Sequence, residues 1–219
     1  MNKRAIVVLT AFFAVVIFAG GAALYTSNKT DVPVTASVAA GDSLVRTHSK
    51  GIGRADAPVT IVEFFDPSCE ACRAFYPHVK EIMARTGDDV RLVMRYTPLN
   101  EGSDEVVRIL EAARKQGKFE PVLESILAKQ PEWAIHGAPD IEKAWQIAAE
   151  GGLNLETGRK DAIAPEVDAV LKQDVADMET NKVQQTPTFY VNGKPLTEFS
   201  PQGLYNLVRS EVQATKSGS

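Results

Sequence analysis

Two cysteines three positions apart, Cys69 and Cys72, follow directly on an almost unbroken apolar run in "APVTIVEFFDPSCEAC", and the 219 residues hold no other cysteine. The run from Ala57 to Phe65 reads as a strand buried on both faces. Its exception is Glu63, which shares a face with Val59, Ile61 and Phe65 because strand side chains alternate. "DPS" breaks the strand. From Glu70 to Arg85, apolar residues at Ala71, Phe75, Val79, Ile82 and Met83 have helical spacing, and Pro77 within them predicts a kink. Cys69 therefore stands at a helix start, where unpaired N–H groups and the helix dipole stabilise a thiolate. Cys72 lies one turn on, within reach to resolve a mixed disulfide.

Other uses of such a pair fit less well. A structural bridge closing so short a loop constrains little of the unfolded chain. Attachment of c-type haem requires His after the second cysteine, and Arg73 is there. Zinc needs about four ligands, and beyond this pair the chain offers only His48, His78 and His136. No metal or cofactor is expected, although a thiol pair used for metal delivery stays open.

The remaining pattern is α/β. "VRLVMRYTPL", Val90 to Leu99, predicts the next strand. Ser103 is placed to cap a helix with Asp104 and Glu105 in its first turn. Further helices are expected from Pro121 to Lys129, after Asp140 and after Pro165. "TPTFYVNGKPL", Thr186 to Leu196, returns to strand chemistry, with Asn192-Gly193 as a two-residue hairpin turn. Ser200-Pro201 starts a last helix with Leu204, Leu207, Val208 and Val212 inward. Asp66 reads as a turn residue, His78 as helix surface, and Trp133 and Trp145 as core. The order is strand, helix, strand, four helices, two strands, helix, with the middle helices inserted at about 100–183.

The N-terminus is a separate object. "MNKR" is a basic flank, and the 19 residues from Ile6 to Leu24 carry no charge, enough for about 28 Å of helix. Segment 1–26 is expected to be a signal-anchor with Lys3 and Arg4 cytoplasmic. A cleaved signal is the alternative, since "AGGAA" offers small residues to a peptidase. Either way the domain is exported: anchored in a bacterial inner membrane facing the periplasm, or soluble there after cleavage. Residues 27–50 read as a linker and 51–219 as the domain. After residue 30 the chain keeps 21 of its 24 basic residues and all 28 acidic ones, so this part is acidic. That argues against nucleic-acid binding.

"ADAPVTIVEFFDPSCEAC", "CRAFYP" and "TPTFYVNG" together resemble the DsbA-like branch of the thioredoxin superfamily from about Gly51 onward. The resemblance implies a thioredoxin-like fold carrying the helical insert, and a redox-active pair with Cys69 as nucleophile and Cys72 as resolving thiol. It implies a cis Pro187 against Cys69, with Thr186 and Pro187 contacting substrate, and a buried acid, Glu63, exchanging a proton with Cys72. The implied partners are exported proteins containing cysteine and a membrane redox protein, DsbB-like or DsbD-like. A monomer is expected, and an isomerase of the usual dimeric kind fits less well, because no separate dimerisation domain is read before the thioredoxin-like part. Between the cysteines the family's oxidases usually carry Pro-His, whereas Glu70-Ala71 stands here. A carboxylate beside Cys69 opposes its thiolate, so the pair is expected to be less oxidising than theirs. Whether the chain donates disulfides or keeps targets reduced stays open, and a metallochaperone or assembly factor on the same fold is the alternative class.

Overall fold

Four strands form one mixed sheet in the computed structural model of the protein, which describes residues 43–49 and 51–217. The expected membrane segment and most of the expected linker lie outside the described residues. No helix among the described residues is long and apolar enough to cross a membrane.

The apolar run forms the central strand, β1 (Val59–Phe65). Helix α1 (Glu70–Thr86) follows and runs through Pro77. Strand β2 (Val90–Tyr96) then pairs parallel to β1. The predicted strand stops at Tyr96 rather than Leu99, because the N–H groups of Leu99 and Asn100 turn to Asp66.

The insert holds six helices where four were expected: α2 (Ser103–Lys115), α3 (Phe119–Ala128), α4 (Gln130–Trp133), α5 (Ile141–Glu150), α6 (Leu155–Ala162) and α7 (Pro165–Thr180). The helix expected after Asp140 is α5, and Asp140 caps it, accepting from Lys143 N–H at 2.8 Å. The short α4 and the polar α6 lack the apolar period that reveals a helix. A cap starts α6, Asn154 accepting from Thr157 N–H at 3.0 Å, and Gly158 lets Leu153 lie against the helix. Trp133 and Trp145 are buried in the core as read.

The chain returns to the sheet with β3 (Thr188–Val191), antiparallel to β1, and β4 (Lys194–Pro195) beside it. Asn192 and Gly193 both have positive φ, at 47° and 80°, the geometry of a two-residue hairpin turn. Helix α8 (Pro201–Ser217) closes the fold, and Ser200 Oγ accepts from Gly203 N–H.

Both faces of β1 are covered, as its composition predicted. Val59, Ile61 and Phe65 join the core containing α1, α8 and the insert. Val62 and Phe64 join Val93, Val183 and Leu44 on the other side. Leu44 belongs to residues 43–49, within the expected linker. This segment is tied down by Arg95, a fully buried cation whose Nη1 donates to the carbonyls of Ser43 and Leu44. Arg95 is neutralised by two buried acids of α7, Asp174 at 2.8 Å and Asp177 at 2.6 Å. Arg46 and His48 reach the same acids. The folded part thus extends N-terminal of residue 51.

Candidate active site

The strand-to-helix turn is built around Asp66, a hub rather than a simple turn residue. Fully buried, it accepts from Ser68 N–H through Oδ1, and through Oδ2 from the N–H groups of Leu99 and Asn100 and the Asn100 side-chain amide. The Ser103 hydroxyl lies within hydrogen-bond distance of both Asp66 Oδ1 and Ser68 Oγ. Ser103 is therefore drawn inward, and Gly102, at φ 74°, occupies the N-cap position expected for it. One carboxylate ties the cysteine loop to the segment leaving β2 and to the start of the insert.

A second tie comes from the insert. Gln130, 1% exposed, donates through Nε2 to the carbonyls of Pro67 at 2.7 Å and Cys69 at 3.1 Å. Sequence reasoning missed it, since a glutamine after a helix end carries no periodic or motif signal.

Cys69 is the N-cap of α1 with extended backbone, φ −73° and ψ 120°, and is half-buried, while Cys72 is fully buried. Both thiols are free. The Cys69 thiol is held down to about 6, first by a hydrogen bond from the Cys72 side chain. Burial works against this, and the Thr186 hydroxyl and the N–H groups of Cys72 and Ala71 reinforce it. Those N–H groups belong to the first turn, where they have no partner within the helix. The Cys72 thiol is pushed strongly upward, mainly by burial, then by its bond to Cys69 and the nearby Glu63. The two sulfurs are thus unlike: one is accessible and ionised near neutrality, the other buried and protonated.

The Thr186–Pro187 peptide bond is cis. The Cys69 thiol donates to the carbonyl of Thr186 at 3.3 Å, bringing the loop before β3 onto the sulfur. Glu63 stands on β1 opposite Met94 and Phe189 on the flanking strands. It is fully buried, and neither carboxyl oxygen has a hydrogen-bond partner among the described residues. Its pKa is raised to about 8, first by burial and then by the Cys69 charge. Glu70 and Ala71 lie exposed on the first turn of α1. Glu63 on β1, Cys69 and Cys72 at the start of α1, and Thr186 and Pro187 before β3 therefore come from three separate places in the chain to one corner of the sheet. His78 lies exposed on α1.

A family model described as Thioredoxin matches residues 46–209. The crystal structure of a thioredoxin-like oxidoreductase from Silicibacter pomeroyi is 31% identical, with a TM-score of 0.68, over 81% of this chain and 98% of that one. BdbD from Bacillus subtilis shares the fold at 23% identity and a TM-score of 0.65, over 74% of this chain and 92% of that one. The chain is also 31% identical over 169 residues to a Na(+)/H(+) antiporter NhaA from Herminiimonas arsenicoxydans. That match covers 76% of this chain and 25% of the antiporter, so the chain spans about a quarter of the length of such relatives.

Proposed function

This chain belongs to the thioredoxin family, and from that premise we propose that it is a DsbA-like protein-disulfide oxidoreductase. It exchanges disulfides with exported proteins through Cys69-Glu70-Ala71-Cys72. The observation that carries this reading is the asymmetry of the two sulfurs, a thiol held down to about 6 at a helix N-terminus and a buried, protonated one a turn away.

In the reducing direction, the Cys69 thiolate attacks one sulfur of a substrate disulfide. A new S–S bond forms to Cys69, and the other substrate sulfur leaves as a thiolate. The negative charge on Cys69 vanishes, and with it the charge that helps to hold the Glu63 proton. Glu63 then ionises more easily, its proton passing to the departing substrate thiolate or to solvent, and its carboxylate can take the proton of Cys72. The Cys72 thiolate attacks Cys69 Sγ, releasing reduced substrate and leaving the Cys69–Cys72 disulfide. The reverse sequence oxidises a substrate dithiol. Thr186 and Pro187, beside the sulfur, are positioned to meet the substrate chain flanking its cysteine.

Two finer readings belong to the same proposal. Glu70, where family oxidases usually carry the first residue of Pro-His, opposes the thiolate and makes the pair less oxidising. The charge-free stretch from Ile6 to Leu24 behind a basic flank supports export and tethering, with a membrane redox protein resetting the pair. A periplasm-dependent reporter fused after Ser219 should be active, and an inactive, cytoplasmic fusion would refute export.

The reading is tested by trapping. Cys72→Ala should accumulate mixed disulfides with exported proteins in cells, and Cys69→Ala should not. Equal trapping by both variants, or by neither, would overturn it.

A further inference from the structure

The helical insert touches the cysteine loop through a buried amide that the exchange chemistry does not use. Gln130 is the first residue of the four-residue helix α4. Its Nε2 bridges the carbonyls on either side of Ser68, those of Pro67 and Cys69. The Cys69 carbonyl also accepts from Arg73 N–H at 3.1 Å, the first bond of the α1 ladder. Gln130 therefore holds the oxygen that fixes how Cys69 enters the helix. The opposite side of the loop is held by Asp66, which takes Ser68 N–H and, through its own carbonyl, Cys69 N–H at 3.1 Å. Gln130 Oε1 is buried without a hydrogen-bond partner among the described residues. An apolar residue would spare that cost of about 1–3 kcal/mol, and the two donated bonds are what a glutamine adds here.

We propose that Gln130 is a positioning residue of the exchange site, holding the Cys69 loop in the extended N-cap geometry that aims the first-turn N–H groups of α1 at the sulfur. The inference rests on the oxidoreductase reading for its consequence, the reactivity of Cys69, but its geometry stands apart from it. Through this amide the state of the insert is transmitted to the nucleophile. Rotation of the Cys69 carbonyl swings the thiolate off the Ala71 and Cys72 N–H groups, so the effect falls on the ionised sulfur.

The test is the pH profile of Cys69 alkylation by iodoacetamide in the reduced full chain, with the adduct mapped. Gln130→Met keeps length and removes both donors. Its alkylation midpoint should rise by about one pH unit, with a rate near pH 6 lower by about fivefold. Trp133→Phe, in the same short helix, loses the bond to the Ile126 carbonyl and spares Gln130. It should unfold at lower urea and keep the wild-type midpoint. If Gln130→Met does not fold, Gln130→Leu carries the test, since it also lacks both donors and brings no charge, and its midpoint should rise in the same way. An unchanged midpoint in the folded glutamine variant, or an equal rise in Trp133→Phe, overturns the proposal. A wild type that alkylates at Cys69 but fails to exchange with glutathione disulfide would instead refute the oxidoreductase reading and leave this test intact.

Discussion

The Sγ of Cys69 lies 3.3 Å from the carbonyl oxygen of Thr186, and the hydroxyl of the same threonine is among the groups that hold the thiol down to about 6. Thr186 therefore meets both forms of the sulfur: its carbonyl accepts from the thiol, and its hydroxyl donates to the thiolate.

Thr186→Val keeps the shape and removes the hydroxyl. A hydrogen bond to a charged group is worth about 1.5–3 kcal/mol, and one pH unit corresponds to about 1.4 kcal/mol. The Cys69 titration should move up by about one unit, followed by ultraviolet thiolate absorbance. A less stable thiolate means a less stable reduced form, so the reduction potential should fall by about 30 mV. A titration that stays in place would remove the hydroxyl from the account.

Glu63 makes stability depend on pH. Its value is about 4.5 when unperturbed and about 8 in the fold, so between these the native state keeps a proton that the unfolded chain has released. Stability from this group is complete below about 4.5, declines as pH rises, and is gone above about 8. Glu63→Gln removes the burial of an ionisable group with no partner. The reduced variant should gain on the wild type as pH rises from 4.5 to 8, by a few kcal/mol on the scale of about 1.4 kcal/mol per unit. It should also resolve mixed disulfides more slowly, on the order of a hundredfold at neutral pH. Parallel urea-midpoint profiles for the two proteins would contradict the burial argument, and an unchanged resolution rate the proton role.

Replacing Glu70-Ala71 by Pro-His removes a carboxylate from the first turn and adds a donor near the sulfur. The potential should rise by a few tens of millivolts, since about 30 mV corresponds to about 1.4 kcal/mol for this couple. Equilibration of both proteins with glutathione buffers measures it. An unchanged or lower potential would mean that Glu70 does not set the redox poise.

Much of this molecule was legible because its chemistry is local. The strand, the break at Asp66 and the helix start at Cys69 follow from contiguous residues, and the Asn192-Gly193 turn declares itself by residue type. What escaped is held by distant partners. Asp66 reads as a turn residue until the β2 exit and Ser103 close on it, because its donors other than the Ser68 N–H lie more than thirty positions away. Asp174 and Asp177 sit on the inward face of α7 only because Arg95 is buried opposite them. A pattern of apolar residues reads such positions as solvent-facing. Residues 43–49 look like linker for the same reason: apart from Leu44 and Val45, their attachment to the fold is polar. Gln130 is invisible in sequence because its acceptors are backbone carbonyls, which no residue type announces.

The central claim is that Cys69 is the accessible, ionised sulfur and Cys72 the buried, protonated one. Limiting iodoacetamide applied to the fully reduced protein across a pH series, with each adduct mapped by mass, tests it most directly. The account predicts modification of Cys69 almost alone, with a midpoint near 6 as its thiol titrates. Labelling of Cys72 first, or equal labelling of both with a midpoint near the ordinary thiol value of about 8.5, would contradict it.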